Sequence, residues 1–162
     1  MKAMKPMKHG GGGHRAAETN YRRLLVMSLL SFVSMYALMY AMVDNLSDVF
    51  SSLNQVYMAG LMTAPMVVIE LVLMRAMYPS KKLNAALLAL SAVGGLAFWI
   101  LIRQQGAITD RQFLRSMIPH HGGAVLMCEQ APLQDPELKE LCARIISSQR
   151  SEIEFMKGKL NQ

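Results

Sequence analysis

The sequence predicts an all-α protein with three transmembrane helices followed by an extracytoplasmic antiparallel helical hairpin. Three apolar runs of 18 to 20 residues occupy most of the first two thirds of the 162-residue chain. The last third contains two helix-start signals with only a short connection between the helices they begin. The charges between the runs agree with a single topology.

The apolar runs are each close to the length that crosses a bilayer as a helix. The predicted spans are about 24–43, 57–78 and 84–102, within a membrane region 24–103. A buried helix of a soluble core is the alternative for any one run, but three in succession argue against it. Glu70 is the one carboxylate inside these runs, and an ionisable group at such a position is a functional candidate.

The net charge of +6 comes mainly from a basic N-terminal tail. Residues 1–23 hold six Lys and Arg against Glu18 alone, and four consecutive glycines predict a flexible cytoplasmic segment. His9 and His14 leave metal binding by this tail open as an alternative. Because the surplus lies beside the first span, it indicates topology, and no nucleic-acid partner is predicted.

The connections between the spans predict the orientation. The first contains Asp44 and Asp48 and no basic residue, whereas the second contains Arg75, Lys81 and Lys82. By the positive-inside rule the N-terminus lies in the cytoplasm. The segment after the third span then lies outside, in the periplasm of a cell with two membranes.

Capping signals predict two helices in the C-terminal region 106–162. Gly106 is expected to break the third helix, and Thr109 with Gln112 forms a capping box. Asp135 followed by Pro136 is a second N-cap. The helices are therefore predicted at about 110–131 and 136–160.

A seam between these helices is predicted from residues spaced four and three apart. Its members are Leu114, Met117, His121, Ala124, Cys128 and Ala131 on the first helix, and Leu138, Cys142, Ile145, Gln149, Glu152 and Met156 on the second. A fold-back near residue 135 pairs residues whose numbers sum to about 270. Cys128 and Cys142 are then close enough for a disulfide, and His121 faces Gln149.

Soft metal ligands collect around the adjacent histidines His120 and His121. Met117 lies one turn before them, Met127 about two turns after them, and Met156 on the facing helix. Thioether and imidazole ligands favour copper, above all Cu(I), over hard ions.

Pro119, Gly122 and Gly123 are poor helix formers within the same stretch. The proline is expected to kink the helix so that both rings reach one site, and the glycines are expected to admit another backbone. The alternative without metal is a histidine hydrogen-bonded to Gln149 or Glu152 across the seam.

Residues 110–160 resemble the DUF305 family. The resemblance lies in an Asp-x-x-Phe, a Met-x-x-His-His-x-x-Ala-x-x-Met and a Gln-x-x-Glu-Ile-x-x-Met pattern. These fall on Asp110, Phe113, Met117, His120, His121, Ala124, Met127, Gln149, Glu152, Ile153 and Met156. The resemblance implies a ferritin-like helical fold, here a half-bundle in a membrane-anchored branch, and a role in copper or silver handling.

The predicted metal site has Met117, His120 and His121 at its core. Met127 and Met156 are the additional ligands expected, and Gln149 or Glu152 is expected to orient an imidazole. Because one hairpin is half of a four-helix bundle, a homodimer is also expected. No enzyme activity is predicted, since Glu152 is the only acid of the seam and a di-iron site needs several.

Methionine stripes in the first two spans predict a second, intramembrane metal path. Its candidate residues are Met35, Met39, Met58, Met62, Met66 and Glu70. Packing is the alternative, because methionine commonly fills gaps in cores. Three hypotheses follow: a copper- or silver-binding protein, a Cu(I) transporter, and a structural module without metal.

Overall fold

The chain folds into five α-helices in a computed structural model that describes residues 12–162, with side chains from Ala17 onward. The helices are α1 Gly12–Leu38, α2 Leu53–Leu73, α3 Lys81–Gln104, α4 Asp110–Gln130 and α5 Pro136–Leu160. No strand occurs within the described range, so the all-α prediction is confirmed. Helix α1 begins inside the predicted flexible tail; residues 1–11 and the side chain of His14 lie outside the described part of the chain.

Three helical stretches are long and apolar enough to cross a membrane: Ala17–Met42, Leu53–Leu73 and Lys81–Gln104. The second is shifted by four to five residues from its predicted span, because the polar residues after Ser52 already form its first turn. Only 6% of the most apolar window is buried in the first and third stretches, and 22% in the second. Helices of a soluble core would bury these side chains, so the pattern is consistent with helices that face lipid.

Small residues bring α2 and α3 into close contact. A Cβ atom added at Gly60 would lie 2.4 Å from Cε2 of Phe98, and one at Gly95 would lie 3.1 Å from Cβ of Ala64. Glycine at both positions removes the side chain that would hold the backbones apart. Helix α2 also packs on α1 and therefore lies between the other two apolar helices.

The end of this bundle at which α1 begins is basic. The hydroxyl of Tyr21 donates to Oδ1 of Asn84 at 2.7 Å, and Nδ2 of Asn20 donates to the carbonyl of Met77 at 3.1 Å. These bonds fasten α1 to the connection between α2 and α3. The basic residues near this end are Arg22, Arg23, Arg75, Lys81 and Lys82, whereas the connection at the opposite end carries Asp44 and Asp48.

The link between α3 and α4 differs from the prediction in one respect. Gln105 and Ala107 adopt the left-handed conformation, with φ of 50° and 59°, and Gly106 does not. A Cβ on Gly106 would instead lie 2.6 Å from Cδ2 of Leu101. A side chain at position 106 would therefore have to displace the end of the Leu101 side chain, and no positive φ favours glycine here.

The predicted caps begin both C-terminal helices. The hydroxyl of Thr109 accepts the N–H of Gln112, and the carboxylate of Asp135 accepts the N–H of Glu137 at 2.8 Å. The capping box is not completed, however, because Oε1 of Gln112 accepts the backbone N–H of Leu53 at 2.9 Å. The side chain of Gln112 therefore bonds to the start of α2 and not to the backbone N–H of its own helix cap.

Helices α4 and α5 pack side by side and in opposite directions. The disulfide between Cys128 and Cys142 joins them next to their connection, and further away Ile118 packs with Ile153 and Met156. Ile118 has no exposed surface. The contacts follow the predicted fold-back, in which paired residue numbers sum to about 270.

Helix α4 lies across the ends of α1 and α2. Near its start Ser116 accepts a hydrogen bond at 3.3 Å from Nδ2 of Asn54, in the first turn of α2. Two turns later a Cβ on Gly123 would lie 3.4 Å from the carbonyl oxygen of Met42, and one on Gly122 would lie 3.5 Å from the backbone nitrogen of Asp44. The glycines admit a neighbouring backbone, as expected, and α4 stays helical through Pro119.

The connection between α1 and α2 also contacts α5. Asp48 is buried and forms an ion pair with Lys157, which also donates to the hydroxyl of Ser47 at 3.3 Å. Phe50 packs on the cluster formed by Ile118, Ile153 and Met156. The connection therefore binds the C-terminal helix pair to the apolar helices.

Candidate metal site

A cavity of about 470 Å³ lies where α4 crosses the ends of α1 and α2. Its lining includes five methionines, Met39, Met42, Met58, Met117 and Met127, together with His120. Two of the methionines and the histidine come from α4, and the other three come from the ends of the apolar helices. Thioethers and an imidazole are the ligands that soft metal ions prefer.

One flank of α4 forms a wall of this cavity. Ser116, His120, Gly123 and Met127 follow one another at steps of four, three and four residues, which places them on one side of a helix. His120 is exposed, and its ring makes no hydrogen bond or ion pair with any residue that the structure describes. A ring nitrogen of His120 is therefore free to bind a metal ion.

Hydrogen bonds hold the polar part of the cavity wall in place. Oε1 of Gln55 accepts from the hydroxyl of Tyr40 at 2.6 Å and from that of Ser52 at 3.2 Å. Asn54 bonds both to Ser116 and, at 3.1 Å, to Oε1 of Gln105. The ends of α1, α2 and α3 are thus fastened to one another around the cavity.

His121 points away from the cavity and into the seam with α5. Its Nδ1 lies 2.9 Å from the carbonyl oxygen of Met117, and its Nε2 lies 2.9 Å from Oε2 of Glu152. Both ring nitrogens of His121 are thus occupied by contacts to other residues, and His121 does not line the cavity. The centroids of the His120 and His121 rings are 6.3 Å apart, but only His120 lines the cavity, so a site shared by both rings stays a prediction.

Three further residues of the predicted site lie in the seam. Met156 is buried in the apolar cluster with Ile118 and Ile153. Oε1 of Gln149 is buried and has no hydrogen-bond partner among the described residues. Glu152, the facing partner of His121, also accepts from the hydroxyl of Ser148 at 2.7 Å.

The two cysteines of the seam are joined in a disulfide. The Cα atoms of Cys128 and Cys142 are 5.1 Å apart, within the range that the fold-back register predicts. Neither sulfur is a free thiolate, so the cysteines supply no ligand to the neighbouring cavity.

The predicted intramembrane path is only partly assembled around the cavity. Of its six candidates, Met39 and Met58 line the cavity. Met35 accepts a weak contact from the hydroxyl of Thr63 at 3.9 Å, and Glu70 accepts from the hydroxyl of Tyr78 at 3.0 Å. Met62 and Met66 lie deeper along α2 and outside the cavity lining.

The side chains around the cavity can be compared with the ligands that different metal ions prefer. Within residues 12–162 no group of three or more His, Cys, Asp or Glu side chains is placed to hold a metal. Hard ions and zinc depend on such groups. The cavity offers thioethers and one imidazole instead, so its chemistry suits Cu(I) or Ag(I).

Comparison with known proteins identifies the family of the chain. Residues 98–160 match the family described as "Domain of unknown function (DUF305)". The chain is also 32% identical over 146 residues to "Uncharacterized protein L153" of Acanthamoeba polyphaga mimivirus, an alignment that covers 88% of this chain and 94% of that protein. The chain belongs to the DUF305 family. No solved structure matches it.

The DUF305 segment contains three of the six methionine and histidine residues that line the cavity. Met117, His120 and Met127 lie within residues 98–160, whereas Met39, Met42 and Met58 lie outside them. The alignment with the viral relative leaves 12% of the 162 residues, about 19, uncovered, so it extends into the apolar helices. The relative therefore shares more than the DUF305 segment.

Several cavity residues were not among the predicted site residues of this DUF305 protein. They are Met42, Ser52, Asn54, Gln55 and Ser116. The order of the predicted spans could have indicated these residues. Consecutive spans are antiparallel, so the end of the first span and the start of the second meet on one side of the membrane. The chain returns to that side after the third span, which places α4 near both.

Proposed function

We propose that the chain is an integral membrane protein that binds Cu(I) or Ag(I) in the cavity at the start of its DUF305 domain. Met117, His120 and Met127 on α4 are the ligands that this domain supplies. The observation that carries the proposal is the convergence of five methionines and one free imidazole on a single cavity. The role is metal handling or resistance by binding, without catalysis.

The accessibility of the ligands supports this function. The side chain of Met127 is 53% exposed and that of His120 is also exposed, so an ion can reach both. A methionine that only fills a gap in a core would be buried, as Met156 is. Preference for Cu(I) and Ag(I) over Zn(II) and Mg(II) follows from the soft donors.

The proposed orientation has the N-terminus in the cytoplasm and the α4–α5 hairpin outside, in the periplasm where one exists. Support comes from the basic residues at the end where α1 begins and from the acidic connection at the other end. A disulfide between Cys128 and Cys142 suits an oxidising compartment. A reporter that is active only outside the cytoplasm, fused after Gln162, should be active.

A homodimer is the proposed assembly, since one hairpin is half of a four-helix bundle. Exposed apolar side chains on α5 support it, among them Leu138, Leu141 and Phe155. Cross-linking of the purified protein at low concentration should trap a dimer, and a chain that stays monomeric would remove this part of the proposal.

The adjacent histidines provide a matched test of metal binding. Full-length protein with His120→Ala should bind Ag(I) at least about tenfold more weakly than the parent, whereas His121→Ala should keep most of the affinity. Isothermal titration calorimetry with Ag(I) measures both without a redox change of the metal. If His121→Ala loses binding and His120→Ala does not, the ion is held in the seam and the cavity assignment fails.

The two other hypotheses have their own readouts. A structural module would bind no Ag(I) in either variant or in the parent. A transporter would move Cu(I) into sealed vesicles and would lose that activity on Met62→Leu or Glu70→Ala, both of which lie away from the cavity. Vesicle uptake assays separate these outcomes from simple binding.

A further inference from the structure

We propose that the metal site is shared between the DUF305 domain and the membrane region, with Met39, Met42 and Met58 completing its sulfur ligands. This inference rests on the proposed function, because it concerns the same cavity. It assigns a binding role to residues of the apolar helices that lie outside the DUF305 segment.

The chain topology brings these methionines to the cavity. Met39 and Met42 belong to the 3₁₀ turn that ends the first apolar stretch, and Met58 lies in the second turn of α2. The short connection between them turns the chain back, so both ends meet beneath α4. Their positions are set by the fold and do not depend on a bound ion.

Direct contacts keep α4 next to these residues. Gly123 lies against the carbonyl of Met42, and Gln112 accepts the backbone N–H of Leu53. Asn54, four residues before Met58, donates to Ser116 on α4. The two halves of the cavity wall are therefore joined on both sides, which favours binding by a preformed site.

Position at the cavity, and not exposure, distinguishes these methionines, because Met62 and Met74 are exposed to a similar extent. Met42 is 52% exposed and Met58 is 40% exposed, and both line the open cavity. Other methionines of the same helices, including Met62, Met66 and Met74, do not line it. The thioethers at the cavity are thus distinguished by position from those elsewhere along α2.

The chemistry of the site changes when these residues are included. Helix α4 alone supplies two thioethers and one imidazole, and the disulfide removes the cysteines as thiolate ligands. Three further thioethers raise the candidate sulfur donors from two to five, which strengthens the preference for Cu(I) and Ag(I). An ion held by both halves also ties the hairpin to the membrane helices.

A pair of triple variants tests the inference in the full chain, purified in lipid nanodiscs. The first carries Met39→Leu, Met42→Leu and Met58→Leu; the control carries Met62→Leu, Met66→Leu and Met74→Leu. Methionine and leucine have similar volumes, so both should fold. We expect the first to bind Ag(I) about 10- to 100-fold more weakly and the control to change by less than about threefold.

The outcomes separate this inference from the proposed function. If the first triple variant binds like the parent while His120→Ala binds weakly, α4 holds the ion alone and the shared site is wrong. If His120→Ala also binds like the parent, both proposals fail. The methionines and histidines of the N-terminal tail are the same in every variant and cannot cause a difference between them.

X-ray absorption at the silver edge, with one Ag(I) per chain, gives a readout that does not depend on the folding of a variant. Helix α4 can supply at most two sulfur atoms from the cavity lining. Three or more sulfur neighbours in the parent support a shared site. Two or fewer in the parent overturn it.

Discussion

The two sides of α4 carry adjacent histidines in opposite settings. On the seam side, His121 has both ring nitrogens engaged, and Ile118 next to it is fully buried. On the cavity side, His120 is exposed and surrounded by thioethers that line open space. The seam side of α4 stabilises the fold, because its polar groups bond to other residues of the chain. The cavity side leaves an imidazole nitrogen and thioether sulfurs unpaired, so these atoms are available to a ligand.

The contrast between the two sides shows what surrounds the proline and the two glycines of α4. On the glycine side, α4 lies next to the backbone that ends the first apolar stretch, where an added Cβ would make ordinary van der Waals contact. On the opposite side it keeps a continuous apolar contact with α5. The two glycines therefore lie where α4 packs against the ends of the apolar helices, and Pro119 lines the neighbouring cavity.

The largest expected effect concerns the seam. Ile118→Ala should lower the free energy of unfolding of the α4–α5 pair by about 2–5 kcal/mol, because it leaves a cavity in a fully buried position. Met127→Leu, on the cavity side, should have little effect on stability. Hydrogen exchange of the α4 amides measures both, and equal protection in the two variants would remove the contrast between the sides.

Loss of the disulfide should have a slightly smaller effect. Cys128 and Cys142 are separated by 14 positions, and a loop of that size predicts a loss of about 3 kcal/mol on reduction. The melting temperature of the α4–α5 pair should fall when reductant is added to the parent. The double variant with serine at both positions should melt at the lower temperature with or without reductant.

Loss of the ion pair between the α1–α2 connection and α5 should have an intermediate effect on stability. Lys157→Met leaves the buried Asp48 carboxylate without its cation and should cost about 2 kcal/mol, less than a fully buried pair because Lys157 is partly exposed. Adding Asp48→Asn to that variant should restore part of the loss. Denaturant unfolding of both variants gives the comparison, and a double variant no more stable than Lys157→Met would show that the charge is not the cause.

The smallest stability effect should come from the histidines themselves. His121→Ala removes two hydrogen bonds, one of them to a half-exposed carboxylate, and should cost about 1 kcal/mol. His120→Ala should leave stability unchanged while it weakens Ag(I) binding. A variant pair in which His120→Ala is the less stable member would reverse the roles assigned to the two sides.

The sequence by itself determined the helices and their order. Long apolar runs, the caps at Thr109 and Asp135, and the spacing of Cys128 and Cys142 act over short distances or follow from a single fold-back. Such signals are readable because each depends on neighbours along the chain or on one short connection. Their outcomes in the structure are the five helices and the joined cysteines.

Only the tertiary structure decided which ligands meet. The seam spacing already places His121, and not His120, towards α5, but only the packing of α4 on the apolar helices leaves His120 in an open cavity. Gln112 leaves its capping box because Leu53 lies within reach. The cavity joins residues from three separated parts of the chain, and their convergence depends on how α4 crosses the apolar helices, a packing geometry that no local pattern specifies.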